Sequence, residues 1–488
     1  MPNSESVISI LCPTRAFSPV EKRVSQPKGR PPRWWARSAR VTRGLLLLVL
    51  CLALHNLAGA QSWQLAWSDE FNDPPGSKID STKWGFDKGL SKNQRNELEY
   101  YCAPGDPTPC DPTNPNAFLD GSHLVIQPHM IDLDTLWTSA RLKTKGLEDV
   151  QYGRIEASIQ IPSRAGLAPV FSLLGSDFQH LGQPLAGELD LMQNWPLIGP
   201  TVNAVSVRGQ GYSGFGTDFD SINFQYIFPD GQQVDTAFHV YGTIWSPGMV
   251  QFYVDDPSNV YFIVTANDIP PGDYWPFNNP FYMALGMAVG GDLGGFPDPG
   301  TEAAGPMLVD DVRYYQAEQV LGPTMSAGPI TVRAGGTGTT TINLTSVSGT
   351  GLVYLACTGA PAHSTCSIDS GNKLNHAAVD FSTTSTATAQ VTLASSVSTA
   401  GLTERPGPGL WAGLVGFGSL FGLVLFPERR RRRGRWFIWI GLAGLLLSLV
   451  TFEGCGGGAA APGHYTLTVT AYTVSGDASS VTIPLTIN

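Results

Sequence analysis

The stretch Glu188-Leu189-Asp190-Leu191-Met192-Gln193 places three polar side chains within a short apolar run. Short alternating runs of this kind are typical of β-strands. Alternate residues of a regular strand share one face of the sheet, so Glu188 and Asp190 point the same way. One extra residue, a β-bulge, would turn Gln193 onto that face as well. The pattern therefore predicts a bulged strand that presents two carboxyl groups and one amide to the same side.

Carboxyl groups on one face of a strand are suited to breaking a glycosidic bond. A retaining glycosidase places a carboxylate nucleophile roughly 5–5.5 Å from a carboxylic acid that protonates the leaving oxygen. An amide donates a hydrogen bond but transfers no proton, and general acid/base catalysis is typically worth ~10²–10⁴-fold in rate. Because the third position is Gln193, we expect a severe loss of hydrolysis unless another acid, such as Asp177 or Glu148, reaches the site.

Further blocks of sequence surround this stretch. They are Trp67-Ser68-Asp69-Glu70-Phe71, Asn96-Glu97-Leu98-Glu99-Tyr100-Tyr101, Ser139-Ala140-Arg141, Tyr152-Gly153-Arg154, Phe238-His239-Val240-Tyr241, Trp275-Pro276-Phe277 and Val309-Asp310-Asp311-Val312-Arg313-Tyr314-Tyr315. In content and order these blocks resemble glycoside hydrolase family 16, the laminarinase and β-1,3(4)-glucanase group, whose bulged motif reads E-x-D-x-x-E. The resemblance covers about residues 63–316.

The resemblance implies a β-jelly-roll sandwich of the concanavalin A type over residues 61–317, with a glucan groove on its concave sheet. Transferred position by position, it makes Glu188 the nucleophile, Asp190 the supporting carboxylate and Gln193 the substituted acid/base position. The substrate-binding positions that it implies are Asn96, Arg141, Trp275 and Arg208. It implies no required cofactor and no identified metal ligands, although a structural calcium ion is common in the family.

Three departures from the family pattern concern the groove. Two tryptophans of a W-P-x-F-W stretch are replaced by Ala168 and Ser172, and Arg208 stands where a histidine is common. The resemblance therefore implies a groove that has lost stacking surface as well as the proton donor.

Three interpretations of function stay open at this point. The chain is an enzyme on β-glucan with another proton donor, a protein that binds glucan without cutting it, or a structural surface protein whose sugar site has decayed. Gln193 and the lost tryptophans favour the last two. Five retained residues favour the first two, because an idle groove need not keep them: Glu188, Asp190, Asn96, Arg141 and Trp275.

The composition limits the partners and the fold class. Of the 488 residues only 14% are charged, Gly and Pro are plentiful, and short alternating runs are common, so we expect two or three all-β domains. The net charge of −10 includes two basic segments, residues 1–60 and 428–435. Without them 15 basic and 37 acidic residues remain, about −22, which argues against nucleic acid as a partner.

The N-terminal segment has the pattern of a secretory signal peptide. An apolar core at residues 44–54 follows a basic stretch, and Ala58-Gly59-Ala60 forms a small-residue cleavage site. An uncleaved membrane anchor is the alternative. In an oxidising compartment Cys102 with Cys110, and Cys357 with Cys366, would each close a short loop, whereas Cys455 is left over.

After residue 317 the composition shifts to Thr, Ser, Gly and Val in alternating runs, at residues 318–408 and again at 453–488. These parts loosely resemble an immunoglobulin-like module of bacterial surface proteins. Between them lie two uncharged apolar runs, 409–426 and 436–452, close to the roughly 20 residues that span a bilayer.

The short connection 427–435 between the two runs is rich in arginine, which favours the cytoplasmic side of a membrane. We therefore expect a transmembrane helical hairpin that interrupts the module. Both β domains would lie outside the cytoplasm, anchored in the cytoplasmic membrane, and the two parts of the module could pair there. A soluble buried hairpin or a processed sorting signal are the alternatives.

Overall fold

The computed structural model describes residues 62–91, 96–133, 135–212, 220–270, 273–396 and 460–488, which all belong to one compact unit. The prediction of an all-β architecture is confirmed, because the described helices are single turns. These are α1 (Phe178–Leu181), α2 (Gly291–Gly294) and the 3₁₀ turns Pro229–Gly231, Ala266–Asp268 and Glu302–Ala304.

The first domain is a jelly-roll-like sandwich of two eight-stranded sheets, with strands numbered here in chain order. In spatial order the outer sheet consists of β18 (Val260–Thr265), β17 (Met249–Val254), β16 (His239–Ser246), β11 (Gly153–Gln160), β20 (Met307–Ala317), β6 (Leu124–Ile126) and β5 (Ala117–Leu119), with β1 (Trp63–Asp69) also paired to β20.

The second sheet, called the groove sheet below, carries the candidate site. In spatial order it consists of β15 (Ser221–Ile227), β14 (Val202–Arg208), β13 (Glu188–Gln193), β12 (Leu167–Gly175), β19 (Phe281–Val289), β9 (Arg141–Lys143) and β2 (Gly85–Phe86), with β10 (Asp149–Val150) paired to β19. A small sheet at its side consists of β3 (Gly89–Leu90), β4 (Glu99–Tyr101), β8 (Leu136–Ser139) and β7 (His129–Asp132).

The core of the sandwich lies between the two large sheets. Alternation along each strand sends one set of side chains inward, so Leu189 and Leu191 of β13 join Trp245, Phe252 and Phe281 in one fully buried cluster. Burying such a side chain contributes roughly 1.5–3 kcal/mol. This packing fixes which face of β13 is left for the groove.

The second domain is a smaller β-sandwich. Its four-stranded sheet contains β21 (Thr324–Ala327), β23 (Thr337–Thr345), β27 (Thr386–Ser395) and β25 (Ser364–Asp369). Its five-stranded sheet contains β22 (Ile330–Val332), β29 (Ala478–Ile487), β28 (Gly463–Tyr472), β24 (Leu352–Thr358) and β26 (Ala378–Asp380). The last two strands of the chain thus complete a sheet begun before residue 380. The resemblance to an immunoglobulin-like module stays a prediction.

The two domains share a small apolar cluster. Tyr354 of β24 is 3% exposed and packs with Met249 and Ile263, which belong to the outer sheet. Its hydroxyl donates a hydrogen bond of 3.0 Å to Asn267 Oδ1. Asn375 Nδ2 donates one of 2.7 Å to Asp268 Oδ2. Apolar contact and hydrogen bonds therefore hold the second domain against β17, β18 and the turn that follows β18.

Two disulfides lie within the described residues. They join Cys102 to Cys110 and Cys357 to Cys366, the two pairs expected from the sequence.

The predicted signal peptide, the two apolar runs with their arginine-rich connection and Cys455 lie outside the described residues. Within the described ranges, no helix is long and apolar enough to cross a bilayer.

Candidate functional site

Strand β13 has the predicted bulge. Against β12, Asp190 pairs with Ser172 and Met192 pairs with Phe171, so Leu191 is an extra residue between them. Against β14, the register shifts between Asp190 and Gln193. Leu191 and Met192 both enter the core, and Gln193 returns to the face of Glu188 and Asp190. The interpretation of the six-residue motif as a bulged strand is therefore confirmed.

The side chain of Asn203 on β14 occupies the gap that the bulge leaves in the hydrogen-bond ladder. Its Nδ2 donates to the Leu191 carbonyl at 3.1 Å, and its Oδ1 accepts from the Gln193 amide at 3.3 Å. Asn203 is 1% exposed, so water does not reach these groups freely. One amide side chain thus satisfies two backbone groups that a regular neighbour would have paired.

A cavity on the outer face of the groove sheet collects most of the predicted site. Glu188, Gln193, Arg141 and Arg208 line it together. The other lining residues include two positions that differ from the family pattern, Ala168 and Ser172. The rest of the lining consists of Pro169, Val170, Gln183, Asn194, Trp195, Ala288, Gly290, Leu293, Glu97 and Tyr101. Glu188 and Glu97 are the carboxyl groups among the described residues of this lining.

Gly187, just before Glu188, lets the strand begin this close to its surroundings. It has φ of +80°, and a Cβ atom there would lie 2.6 Å from Pro276. Only glycine meets both demands at little cost. The start of β13 is therefore fixed by contact with the Trp275-Pro276-Phe277 block.

Asp190 lies beneath the cavity floor with no exposed surface. Ser172 on β12 and Ser206 on β14 stand directly opposite it, and both hydroxyls donate hydrogen bonds to it, the one from Ser172 at 2.5 Å. Arg208 Nε donates to Asp190 Oδ2 at 3.1 Å. Burial opposes ionisation of Asp190, but the Arg208 charge and the two hydroxyls outweigh it, so the pKa of Asp190 is held below its usual value.

The pKa of Glu188 is shifted in the opposite direction. Burial, and next the charge of Asp190, raise the pKa of Glu188 well above its usual value, and the charges of Arg208 and Arg141 offset this only in part. Arg208 Nε lies 3.9 Å from Glu188 Oε2, farther than from Asp190. Of the two carboxyl groups, Glu188 is therefore the one whose protonated form is favoured. A protonated Glu188 donates a hydrogen bond to a sugar oxygen and is a poor nucleophile.

Two predicted substrate-binding residues are not part of this cavity lining. Asn96 has φ of +60°, and its Nδ2 donates to Asp292 Oδ1 at 3.1 Å, beside the lining residue Glu97. Trp275 is half-buried against Phe277, with ring centroids 4.8 Å apart. Its indole nitrogen is buried without a hydrogen-bond partner in the structure.

Asp177 and Glu148, the acids expected from their position in the sequence to be alternative proton donors, do not line the cavity either. Asp177 is largely exposed, and its Oδ1 atom lies at hydrogen-bond distance, 2.6 Å, from His180 Nδ1. Glu148 is absent from the described lining. The carboxyl group that lines this cavity besides Glu188 is that of Glu97, which accepts a hydrogen bond from Ser91.

Sequence reasoning missed the residues that support the two carboxyl groups. Ser206 is two positions before Arg208, so strand alternation was a usable signal that both face Asp190. In the sequence, Ser172 is marked only as a position where the family has a tryptophan. In the structure, its hydroxyl donates a hydrogen bond to Asp190. No local pattern marks Asn203, since its role depends on the register between β13 and β14.

No group of three or more His, Cys, Asp or Glu side chains within the described ranges is arranged to hold a metal ion. A structural calcium ion therefore stays a prediction without assigned ligands.

Comparison with known proteins agrees with this geometry. The family model described as glycosyl hydrolases family 16 matches residues 113–302. A β-glucanase of Rhodothermus marinus is 33% identical over 53% of this chain and 86% of its own length. The clotting factor G alpha subunit of Tachypleus tridentatus is 29% identical over 57% of this chain, which spans 39% of that protein. A β-1,3-glucan-binding protein of Penaeus monodon is 26% identical over 33% of this chain and 49% of its own length. The chain is a member of glycosyl hydrolase family 16.

Proposed function

We propose that the chain is an exported, membrane-tethered family member that binds β-glucan in the groove and hydrolyses it weakly or not at all. The relatives named above include a β-glucanase and a β-1,3-glucan-binding protein, so both glucan cleavage and glucan binding occur among its relatives. The ligand class is supported by family membership. The loss of hydrolysis is supported by the chemistry of one position.

The observation that carries the proposal is the amide of Gln193 on the groove side of the bulge. Retaining hydrolysis needs a group there that protonates the leaving oxygen and later deprotonates water. An amide performs neither step. The raised pKa of Glu188 adds to the loss, because it favours the protonated form, which does not attack the anomeric carbon. Both groups still serve as hydrogen-bond partners for sugar hydroxyls.

Export and tethering rest on sequence patterns alone. The apolar core at residues 44–54 with its small-residue cleavage site supports secretion. The apolar runs 409–426 and 436–452, with arginines between them, support a membrane hairpin that leaves both β domains on the outer side. Glucan would then be held at the cell surface.

The test compares the full-length wild type with Gln193→Glu, in non-ionic detergent, on laminarin, lichenan and an activated aryl β-glucoside. Gln183→Glu is the matched control, because Gln183 lines the same cavity and the charge change is the same. We expect wild type and control to bind laminarin without releasing reducing ends. Gln193→Glu should gain hydrolysis by about 10²-fold or more.

Other results would contradict the proposal in distinct ways. Failure of the wild type to bind laminarin or lichenan would remove the glucan ligand and favour a structural role. Efficient cleavage by the wild type would favour the second candidate function, a hydrolase with another proton donor. Glu97 is the residue that favours that candidate, because its carboxyl group lines the same cavity. Glu97→Gln should then abolish the cleavage.

A further inference from the structure

A second pocket adjoins the cavity at Glu188 and shares Tyr101, Arg141, Gln183 and Glu188 with it. Its lining includes four basic side chains: Lys88, Arg141, Lys143 and Lys145. The acidic side chains of the described lining are Asp87 and Glu188. This concentration of positive charge stands in a chain of net charge −10, so it is a local feature of the groove.

Strand alternation explains why these cations lie together. Arg141 and Lys143 of β9 are two residues apart and share the groove face, while Leu142 and Thr144 are fully buried on the other side. Lys145 continues the same spacing just beyond the strand. Three strand spacings, roughly 14 Å, separate β9 from β13 in the groove sheet. A glycan chain laid across the strands from Glu188 would therefore meet these side chains.

The negative charges in the pocket do not balance the positive ones. Asp87 is shared, since Lys143 forms a short ion pair with it and Arg141 Nε lies 3.6 Å from it. Lys88 pairs with Asp106 at 2.6 Å. Burial, and next the charge of Asp190, raise the pKa of Glu188, which disfavours its charged form.

Lys145 and Arg141 show the imbalance most directly. The Lys145 ammonium lies 5.3 Å from the centroid of the Tyr282 ring, and no carboxylate lies within ion-pair distance of it in the described lining. Burial, and next the charge of Lys143, lower its pKa. Arg141 Nε is buried without a hydrogen-bond partner. An anion placed between these two side chains would satisfy both.

We propose that this second pocket binds an anionic substituent, a carboxylate or a sulfate or phosphate ester, carried by the glycan beyond the unit at Glu188. The preferred ligand is then a β-linked glycan that bears negative charge. Lys143 and Lys145 contact the anion, Arg141 links the two pockets, and the Tyr282 ring forms part of the wall. This inference rests on the proposed glycan-binding function of the groove and specifies its ligand.

The test measures affinities of the full-length chain for laminarin, carboxymethyl-laminarin and laminarin sulfate, which share one backbone and differ in charge. A hydrogen bond to a charged group is worth about tenfold or more in affinity, so we expect at least a tenfold preference for one or both charged forms. The preference should decline as the salt concentration rises from roughly 50 to roughly 500 mM, because the Debye length falls from about 14 Å to about 4 Å over this range. The two charged forms distinguish carboxylate from sulfate recognition.

Lys145→Gln should lose most of that preference and keep its affinity for neutral laminarin, which also shows that the variant is folded. Lys145→Arg should retain it. The matched control is Lys78→Gln, because Lys78 is exposed and lies outside the described lining of both pockets. An equal loss in the control would overturn the proposal, and so would equal affinity of the wild type for all three ligands.

The measurements distinguish failure of the anionic-pocket proposal from failure of the proposed β-glucan-binding function. If neutral laminarin binds and the charged forms bind no better, only the anionic pocket is refuted. If the charged forms bind with the expected dependence on Lys145 and neutral laminarin does not bind, the anionic pocket stands and neutral β-glucan is refuted as the ligand.

Discussion

Asp190 is the residue around which this site is arranged. Ser172 and Arg208, two positions at which the sequence departs from the family pattern, both contact its carboxylate. Departures that look independent in the sequence therefore converge on one buried charge. A buried carboxylate persists only when it is paired and hydrogen-bonded, so these substitutions are physically linked.

Replacing Arg208 by Met should destabilise the protein by about 3–5 kcal/mol at pH 7, because it leaves Asp190 as an unpaired buried charge. The low pKa of Asp190 contributes stability above its unfolded pKa, and that contribution is lost as the pH falls through the folded value. The difference between variant and wild type should therefore shrink in acid. Denaturant unfolding at pH 7 and at pH 3 measures it.

Arg164→Met is the matched control for this prediction. Arg164 pairs with Asp298 at 3.0 Å, but both side chains are more than two-fifths exposed. A solvent-exposed pair contributes about 0–1 kcal/mol, so the control should lose little. Equal losses in the two variants would show that Asp190 does not depend on Arg208.

Glu188→Gln should remove a pH-dependent cost. The folded pKa of Glu188 is raised above the ordinary value of 4.5, so above pH 4.5 the unfolded chain releases a proton that the folded chain keeps. Stability then falls with rising pH by up to about 1.4 kcal/mol per pH unit, until the folded group ionises. Glu99, whose pKa burial raises to about 8, adds a similar decline.

The measurement is the free energy of unfolding of wild type and Glu188→Gln at intervals from pH 4 to pH 8. The variant should gain stability relative to wild type as the pH rises. Glu318→Gln, an exposed position after β20, should follow the wild-type curve. Parallel curves for wild type and Glu188→Gln would show that Glu188 is ionised in the folded protein.

At the scale of the element, the bulge in β13 decides what the groove presents. If the same six residues formed a regular strand without the bulge, alternation would send Gln193 into the core and Met192 to the groove. The six-residue pattern predicted the bulge, but its stabilisation by Asn203 depends on a neighbouring strand. Local sequence specifies a strand and its faces, whereas the partner that completes the ladder is a matter of register.

Asn203→Ala should destabilise the protein by about 1–3 kcal/mol, because the Leu191 carbonyl and the Gln193 amide lose their partner in a buried place. Affinity for glucan should fall with it, since Gln193 is then no longer held on the groove side. Chemical unfolding and laminarin binding are the two measurements.

Gln225→Ala, an exposed change on the adjacent strand β15, should alter stability by no more than about 0.5 kcal/mol and leave binding unchanged. If Asn203→Ala behaved in the same way, the bulge would be maintained by the core packing of Leu191 and Met192 alone.

At the scale of the whole molecule, Tyr354 connects the second domain to the first. Its ring packs against Gly248, where a Cβ atom would lie 2.4 Å from it, and its hydroxyl reaches Asn267. Because apolar contact and hydrogen bonds meet at one residue, we expect both domains to unfold together. Tyr354→Ala removes a large buried side chain, at a cost of roughly 3–5 kcal/mol.

Calorimetry should therefore show one transition for the wild type and two for Tyr354→Ala. Tyr465→Ala is the control, since Tyr465 packs within the module and its hydroxyl donates to Ala461. It should lower stability without separating the transitions. A single transition in Tyr354→Ala would mean that the domains are coupled through other contacts.

The sequence by itself determined the class of the fold, the bulged strand with Glu188, Asp190 and Gln193 on one face, and the pairing of the cysteines. These follow from local rules, because a period of two, a bulge and a short loop are encoded within a few residues. Only the tertiary structure decided which strands became neighbours. It made Ser172, Ser206 and Arg208 the partners of Asp190, and through burial it raised the pKa of Glu188. It also gathered Arg141, Lys143 and Lys145 beside the cavity. Pairing between strands distant in sequence depends on how the whole core closes, and no local pattern specifies that.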